Sequence, residues 1–135
     1  MSHYMLDTNI ASFVLKGNRP DITATLACLP VRAISISAVT KGEMQYGLAR
    51  CGYPRALSRR IRAFVARVRV LPWDAEAAEV YGDLRAQWAS MGIVLGSLDM
   101  MIAAHAVATG ATLVTRDRAL ASAPAPLVTD GWVAA

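Results

Sequence analysis

The sequence predicts an α/β fold, a three-layer α/β/α sandwich around a central, mostly parallel sheet. Two observations point there. Short apolar or β-branched runs alternate with helical stretches along the chain, so successive strands need crossover connections that place helices on both sheet faces. The 135 residues are 55% apolar and 18% charged, enough for one domain with a real core.

The elements follow in order. His3-Tyr4-Met5-Leu6 is a short apolar strand, and Asp7-Thr8-Asn9 caps a helix running to about Lys16. Gly17-Asn18-Arg19-Pro20 is a turn, after which Asp21 is expected to cap a second short helix ending before Pro30. Val31–Ile36 is a β-branched strand, and Ser37 hands over to a helix that passes Glu43 and stops near Gly52-Tyr53-Pro54. Over Pro54–Val68, Leu57, Ile61, Phe64, Val65 and Val68 form one apolar face. Arg55, Arg59, Arg60, Arg62 and Arg67 fall on the opposite arc. Arg69–Pro72 is a brief strand, and Asp74 caps a long helix to about Met91, striped by Ala77, Tyr81, Leu84 and Trp88. After the Gly92–Ser97 loop, Leu98–Thr109 is an Ala- and Met-rich helix, buried on most sides and closed by Gly110. Ala111–Thr115 is a strand ending at Arg116-Asp117; an Ala-rich turn then leads to a last strand near Leu127-Val128.

Composition narrows the function. No apolar run reaches the roughly 18–20 residues of a membrane span, and no apolar signal segment opens the chain. Cys28 and Cys51 alone cannot build a disulfide scaffold or a Cys-based zinc site. A cytoplasmic protein without membrane attachment is the expectation. The net charge is +4, and twelve of the fourteen basic residues are Arg, the side chain suited to bidentate phosphate contact. Seven of them lie between Arg50 and Arg69, where there is no acid.

Four of the ten acids stand in unusual places. Asp7 and Asp117 each follow an apolar strand, and ligands in open parallel sheets bind at the carboxyl ends of strands. Asp99 sits in the first turn of an apolar helix, where a carboxylate is costly unless paired or bound to a cation. Glu43 lies early in its helix. Each also has an ordinary reading: Asp7 as a helix cap, Asp117 as a turn residue, Asp99 as a helix-dipole partner, and Glu43 in a Thr40-x-x-Glu43 capping box. Taken together, two acids end strands and two begin helices that could enter the same edge. Clustered carboxylates repel, and a hard divalent ion removes the conflict. Mg²⁺, or Mn²⁺ in the same oxygen site, would activate water and neutralise a phosphodiester under attack.

At these residues the chain resembles PIN-domain ribonucleases of the VapC type, the toxin half of bacterial toxin–antitoxin pairs. The resemblance rests on Met5-Leu6-Asp7-Thr8-Asn9, on Ile36 to Gly47, on Asp99 to Ala106 and on Thr112 to Asp117, with Asp130-Gly131-Trp132 at the end. It implies a metal-dependent endoribonuclease with Asp7 and Asp99 as main metal ligands. Glu43 and Asp117 would ligate directly or through water, and Asp117 is the most variable position of the pattern. Thr8, Asn9 and Thr115 match supporting polar positions. The stretch Ala119–Pro126 departs from the pattern by lacking an aromatic residue. The resemblance further implies an RNA substrate, a homodimer and a cognate antitoxin whose tail covers the acidic pocket.

Other residues were weighed against plainer roles. The arginine face of residues 54–68 is by default a solvated surface. Arg116, beside Asp117, is the best single residue for a phosphate contact. His105 reads as a core or interface histidine and His3 as an exposed one, while Trp73, Tyr81 and Trp88 read as packing residues. Two other functions share these features: a metal-dependent DNA nuclease, whose metal site would not read the 2′-OH, and a non-catalytic nucleic-acid-binding module, which leaves four acids unexplained. A phosphoaspartyl enzyme is disfavoured, because Asn9 stands where its second acid belongs and no lysine follows residue 42.

Overall fold

The computed structural model describes residues 3–133. Its centre is a five-stranded sheet built from β1 (Tyr4–Leu6), β2 (Ile34–Ser37), β3 (Arg69–Leu71), β4 (Thr112–Val114) and β5 (Thr129–Asp130). The spatial order is β3-β2-β1-β4-β5 and all four pairings are parallel. The chain builds outward from β1 to β2 and β3, then returns to the other side of β1 for β4 and β5. That reversal makes the carboxyl end of β1 a topological switch point.

Seven helices cover the sheet: α1 (Thr8–Lys16), α2 (Pro20–Ala27), α3 (Ala38–Arg50), α4 (Arg55–Ala66), α5 (Ala75–Ser90), α6 (Ser97–Thr109) and the four-residue α7 (Arg118–Ala121). Strand alternation sorts the core into two layers. Met5 and Leu113 point to one face and pack with Leu84, Trp88, Met100 and Ile102 of α5 and α6. Leu6, Ile34, Ile36 and Val114 point to the other and pack with Ile10, Ile22, Leu26, Met44 and Phe64 of α1 to α4. This is the expected three-layer sandwich, with every sheet pairing parallel rather than most of them.

Local signals explain the helix ends. Asp7, Ser37 and Asp74 each accept a hydrogen bond from a backbone N–H of the helix they precede. Gly17 and Gly110 close α1 and α6 at φ of 66° and 70°, the left-handed conformation that glycine adopts without penalty. The apolar face of α4 is inward, and its four arginines and Arg67 just after it are exposed. No helix among the described residues is long and apolar enough to cross a membrane.

Five local expectations are corrected. Asp21 does not cap α2: Arg19 holds that position with no side-chain bond, and Pro20 starts the helix instead. Val31–Ala33 is a turn of 3-10 helix, because Pro30 and the Ala33 N–H to Pro30 carbonyl bond fold it before β2 begins. The Ala-rich turn is α7, capped by Asp117. The last strand is Thr129–Asp130, two residues later than its apolar pair, since Leu113 and Val114 register with Thr129 and Asp130. His3 is half-buried, with Nε2 2.8 Å from Ser35 Oγ.

Because Asp74 Oδ1 accepts the Ala77 N–H at 2.9 Å, Asp74→Ala is expected to destabilise the fold by about 1 kcal/mol. Urea unfolding followed by circular dichroism measures this, and an unchanged midpoint would mean that the cap contributes nothing.

Candidate active site

The carboxyl edge of the sheet gathers all four acids from separate elements. Asp7 follows central β1, Glu43 comes from α3 beyond β2, Asp117 follows β4, and Asp99 sits in the first turn of α6. Asp7 is buried, with 3% of its surface exposed. Its Oδ1 accepts the Ile10 N–H at 2.8 Å, so the same carboxylate caps α1 and faces the site. Burial raises its pKa above the ordinary range; a hydrogen bond from Thr115 opposes this, and the charges of Asp99 and Asp117 add to it.

Asp99 is exposed, although its sequence neighbours are apolar. Helix α6 buries Met100 and Ile102 to Ala106 while turning Asp99 outward. Its pKa is nevertheless raised, by partial desolvation first and then by the charges of Asp117 and Glu43. Asp99 thus lies within electrostatic reach of each of the other three, and Asp7 within reach of Asp99 and Asp117. Among the described residues the one ion pair is Arg116 with Asp21, so no basic side chain neutralises the four.

Glu43 is held from α1. Thr8 Oγ1 donates to Glu43 Oε1 at 2.6 Å, and with its single proton spent there it accepts from Thr40 Oγ1 at 3.2 Å. The Thr40–Glu43 capping box is thereby corrected: Ser37 caps α3, and Thr40 serves the site. Thr40 was missed as a site residue. Its Thr-x-x-Glu spacing, which sets both side chains on one helix face, was the available signal. Thr115 is also buried, and its Oγ1 accepts the Asp117 N–H at 3.1 Å, while Asp117 Oδ1 accepts the Leu120 N–H at 3.0 Å. Asn9 is exposed on α1, and its side chain hydrogen-bonds none of the four acids.

Arg116 does not present a free guanidinium. Its Nε donates to the Gly131 carbonyl at 2.8 Å, and Nη2 donates to Asp21 Oδ2 at 2.7 Å and to the Trp132 carbonyl at 3.0 Å. It ties the end of the chain to α2, which replaces the expected phosphate contact. Trp132, so held, packs edge-to-face on Tyr4.

An oxygen-only donor set, strongly like-charged and without a protein counter-cation, fits a hard divalent ion. As placed, no three His, Cys, Asp or Glu side chains among the described residues close around one position at ligating distance. The fit lies in donor chemistry and charge. A groove of about 260 Å³, lined by Val14, Leu26, Phe64, Arg60 and Arg67 among others, lies apart from the acids.

Comparison with known proteins identifies the family. The PIN-domain family model matches residues 4–126. The tRNA(fMet)-specific endonuclease VapC of Shigella flexneri is 36% identical over 132 residues, covering 98% of this chain and 99% of that protein. Ribonuclease VapC2 of Rickettsia felis is 31% identical, covering 84% of this chain and 86% of its own length. Among solved structures, DNA-bound VapBC from Salmonella typhimurium superposes with a TM-score of 0.89 at 31% identity, covering 98% of this chain and 100% of the matched one. The chain belongs to the PIN-domain family, among its VapC ribonucleases.

Proposed function

We propose that this chain is a divalent-metal-dependent endoribonuclease, the toxin of a toxin–antitoxin pair. The observation that carries this reading is the meeting of four uncompensated carboxylates at the switch point of a parallel sheet. The VapC relatives named ribonucleases, and the VapBC complexes that share the fold, support the reaction class and an antitoxin partner. An RNA substrate, a homodimer and a cytoplasmic setting belong to the same reading.

Asp7 and Asp99 are the principal ligands in this reading, with Glu43 and Asp117 completing the oxygen set directly or through water. When bound, Mg²⁺ or Mn²⁺ supplies a lowered pKa for water and charge neutralisation at the phosphodiester. The chain's own residues do the positioning. Capping of α1 fixes one Asp7 oxygen on the Ile10 N–H, leaving the other for the site. Thr8 donates to Glu43 and is itself bonded to Thr40. Thr115 accepts the Asp117 backbone N–H and lowers the Asp7 pKa.

The deciding experiment incubates purified, partner-free chain with single-stranded RNA, tRNA(fMet) and matching DNA, in Mg²⁺, in Mn²⁺ and in EDTA. RNA cleavage that requires metal is the expected result. Cleavage of DNA in preference to RNA would favour the DNA-nuclease alternative, and salt-sensitive binding without turnover in any metal would favour a binding module. Asp99→Asn is expected to lower cleavage by about 100-fold or more, since loss of an outer-shell partner alone typically costs 10–100-fold. Retained cleavage would remove Asp99 from the site.

A pH prediction follows for the metal-free chain. Asp7 has a raised pKa in the folded state, so the fold binds more protons than the unfolded chain between the two values. Its contribution to stability is then unfavourable at neutral pH and fades as pH falls below the folded pKa. Asp7→Asn, which keeps a good helix cap, should raise the melting temperature in EDTA at pH 7, and the gain should shrink near pH 4. A melting temperature lowered by this variant at neutral pH would contradict the electrostatic account.

A further inference from the structure

Ser37 ends β2 on the sheet face covered by α5 and α6, and it is fully buried. Its Oγ accepts the Val39 N–H at 3.0 Å and so caps α3, the helix of Glu43. The same oxygen lies 2.7 Å from Nδ1 of His105, which is 1% exposed in the middle of α6, the helix of Asp99. The Ser37 hydroxyl has one proton and a second lone pair left, so it donates to Nδ1 when the ring proton is on Nε2 and accepts from it when the proton is on Nδ1. The ring also packs edge-on against Trp73 at the β3–α5 junction, with centroids 5.6 Å apart. Burial lowers the His105 pKa, and the charge of Asp74 opposes this. One side chain thus joins α6, the start of α3 and the start of α5.

We propose that His105 and Ser37 are a positioning pair, a buried imidazole–hydroxyl bond that sets the start of α3 against α6 and thereby the spacing of Glu43 and Asp99. Neither residue touches the acids. Each lies six residues from the acid on its own helix, roughly 9 Å along the axis, and a helix is stiff over that length. The inference rests on the metal-site reading above.

The test titrates the full chain with Mn²⁺ alone and reads binding by calorimetry, apart from activity. His105→Leu, which fills the site without an acceptor, is expected to weaken Mn²⁺ binding by about 10–100-fold, the usual cost of losing an outer-shell support. His105→Asn, whose side-chain oxygen can stand near the place of Nδ1, should restore most of it. Ser37→Ala and Ser37→Thr form a second loss-and-rescue pair, which decides the matter if His105→Leu does not fold. Folded His105→Leu or Ser37→Ala with wild-type Mn²⁺ affinity would overturn the proposal. Wild-type chain that binds no Mn²⁺ would overturn the metal-site reading itself, and this inference with it.

Discussion

Much of this structure is organised around one electrostatic conflict, a buried carboxylate at the end of the central strand facing three others. Asp7 cannot move away. It follows directly on β1, whose two neighbours pair with it on both sides, and its own backbone N–H bonds the Val114 carbonyl of β4. It also caps α1, so the fold uses the carboxylate for stability while charging it a desolvation penalty. The surroundings then hold the conflict in place through neutral donors: Thr8, Thr40 and Thr115 orient the acids without cancelling their charge. A lysine or arginine there would stabilise the chain and occupy the place of a cation.

The basic residues are used elsewhere. Arg116 comes immediately before Asp117 in sequence, yet its guanidinium turns to Asp21 and the Gly131 and Trp132 carbonyls. Sequence adjacency placed it near the site, and strand geometry sent it away, since neighbouring residues leave an extended backbone in opposite directions. The arginine face of α4 is exposed and lies over the layer of α1 to α4, with Arg60 and Arg67 flanking an apolar groove. The acids are not among the residues that line that groove. Charge and desolvation distinguish the candidate active site.

The histidine in α6 shows a different economy. His105 could have been an apolar residue, as its neighbours Ala104 and Ala106 are. A buried imidazole needs a partner, and it finds one in Ser37 at the start of α3, while Trp73 ahead of α5 packs on its ring. Trp88 in the same layer is the contrast: it is fully buried with an indole N–H that bonds nothing. Its burial rests on apolar packing alone, while that of His105 is specified by geometry.

Short apolar strands, amphipathic helices, the caps at Asp7 and Asp74 and the glycine stops were legible in the residues, because each depends on contacts within one element or with the next few residues. The quartet Asp7, Glu43, Asp99 and Asp117 was legible for a related reason: acids at strand ends and helix starts can only reach the carboxyl edge of a parallel sheet. Helix rotation settled the rest. It exposed Asp99 despite its apolar neighbours, placed Thr40 on the side of Thr8 instead of in a capping box, and left Asn9 exposed without a bond to the acids. The bonds of Arg116 to Asp21 and of His105 to Ser37 join residues 95 and 68 positions apart. No local pattern encodes such pairings, because they depend on how the sheet twists and how deeply each helix seats on it.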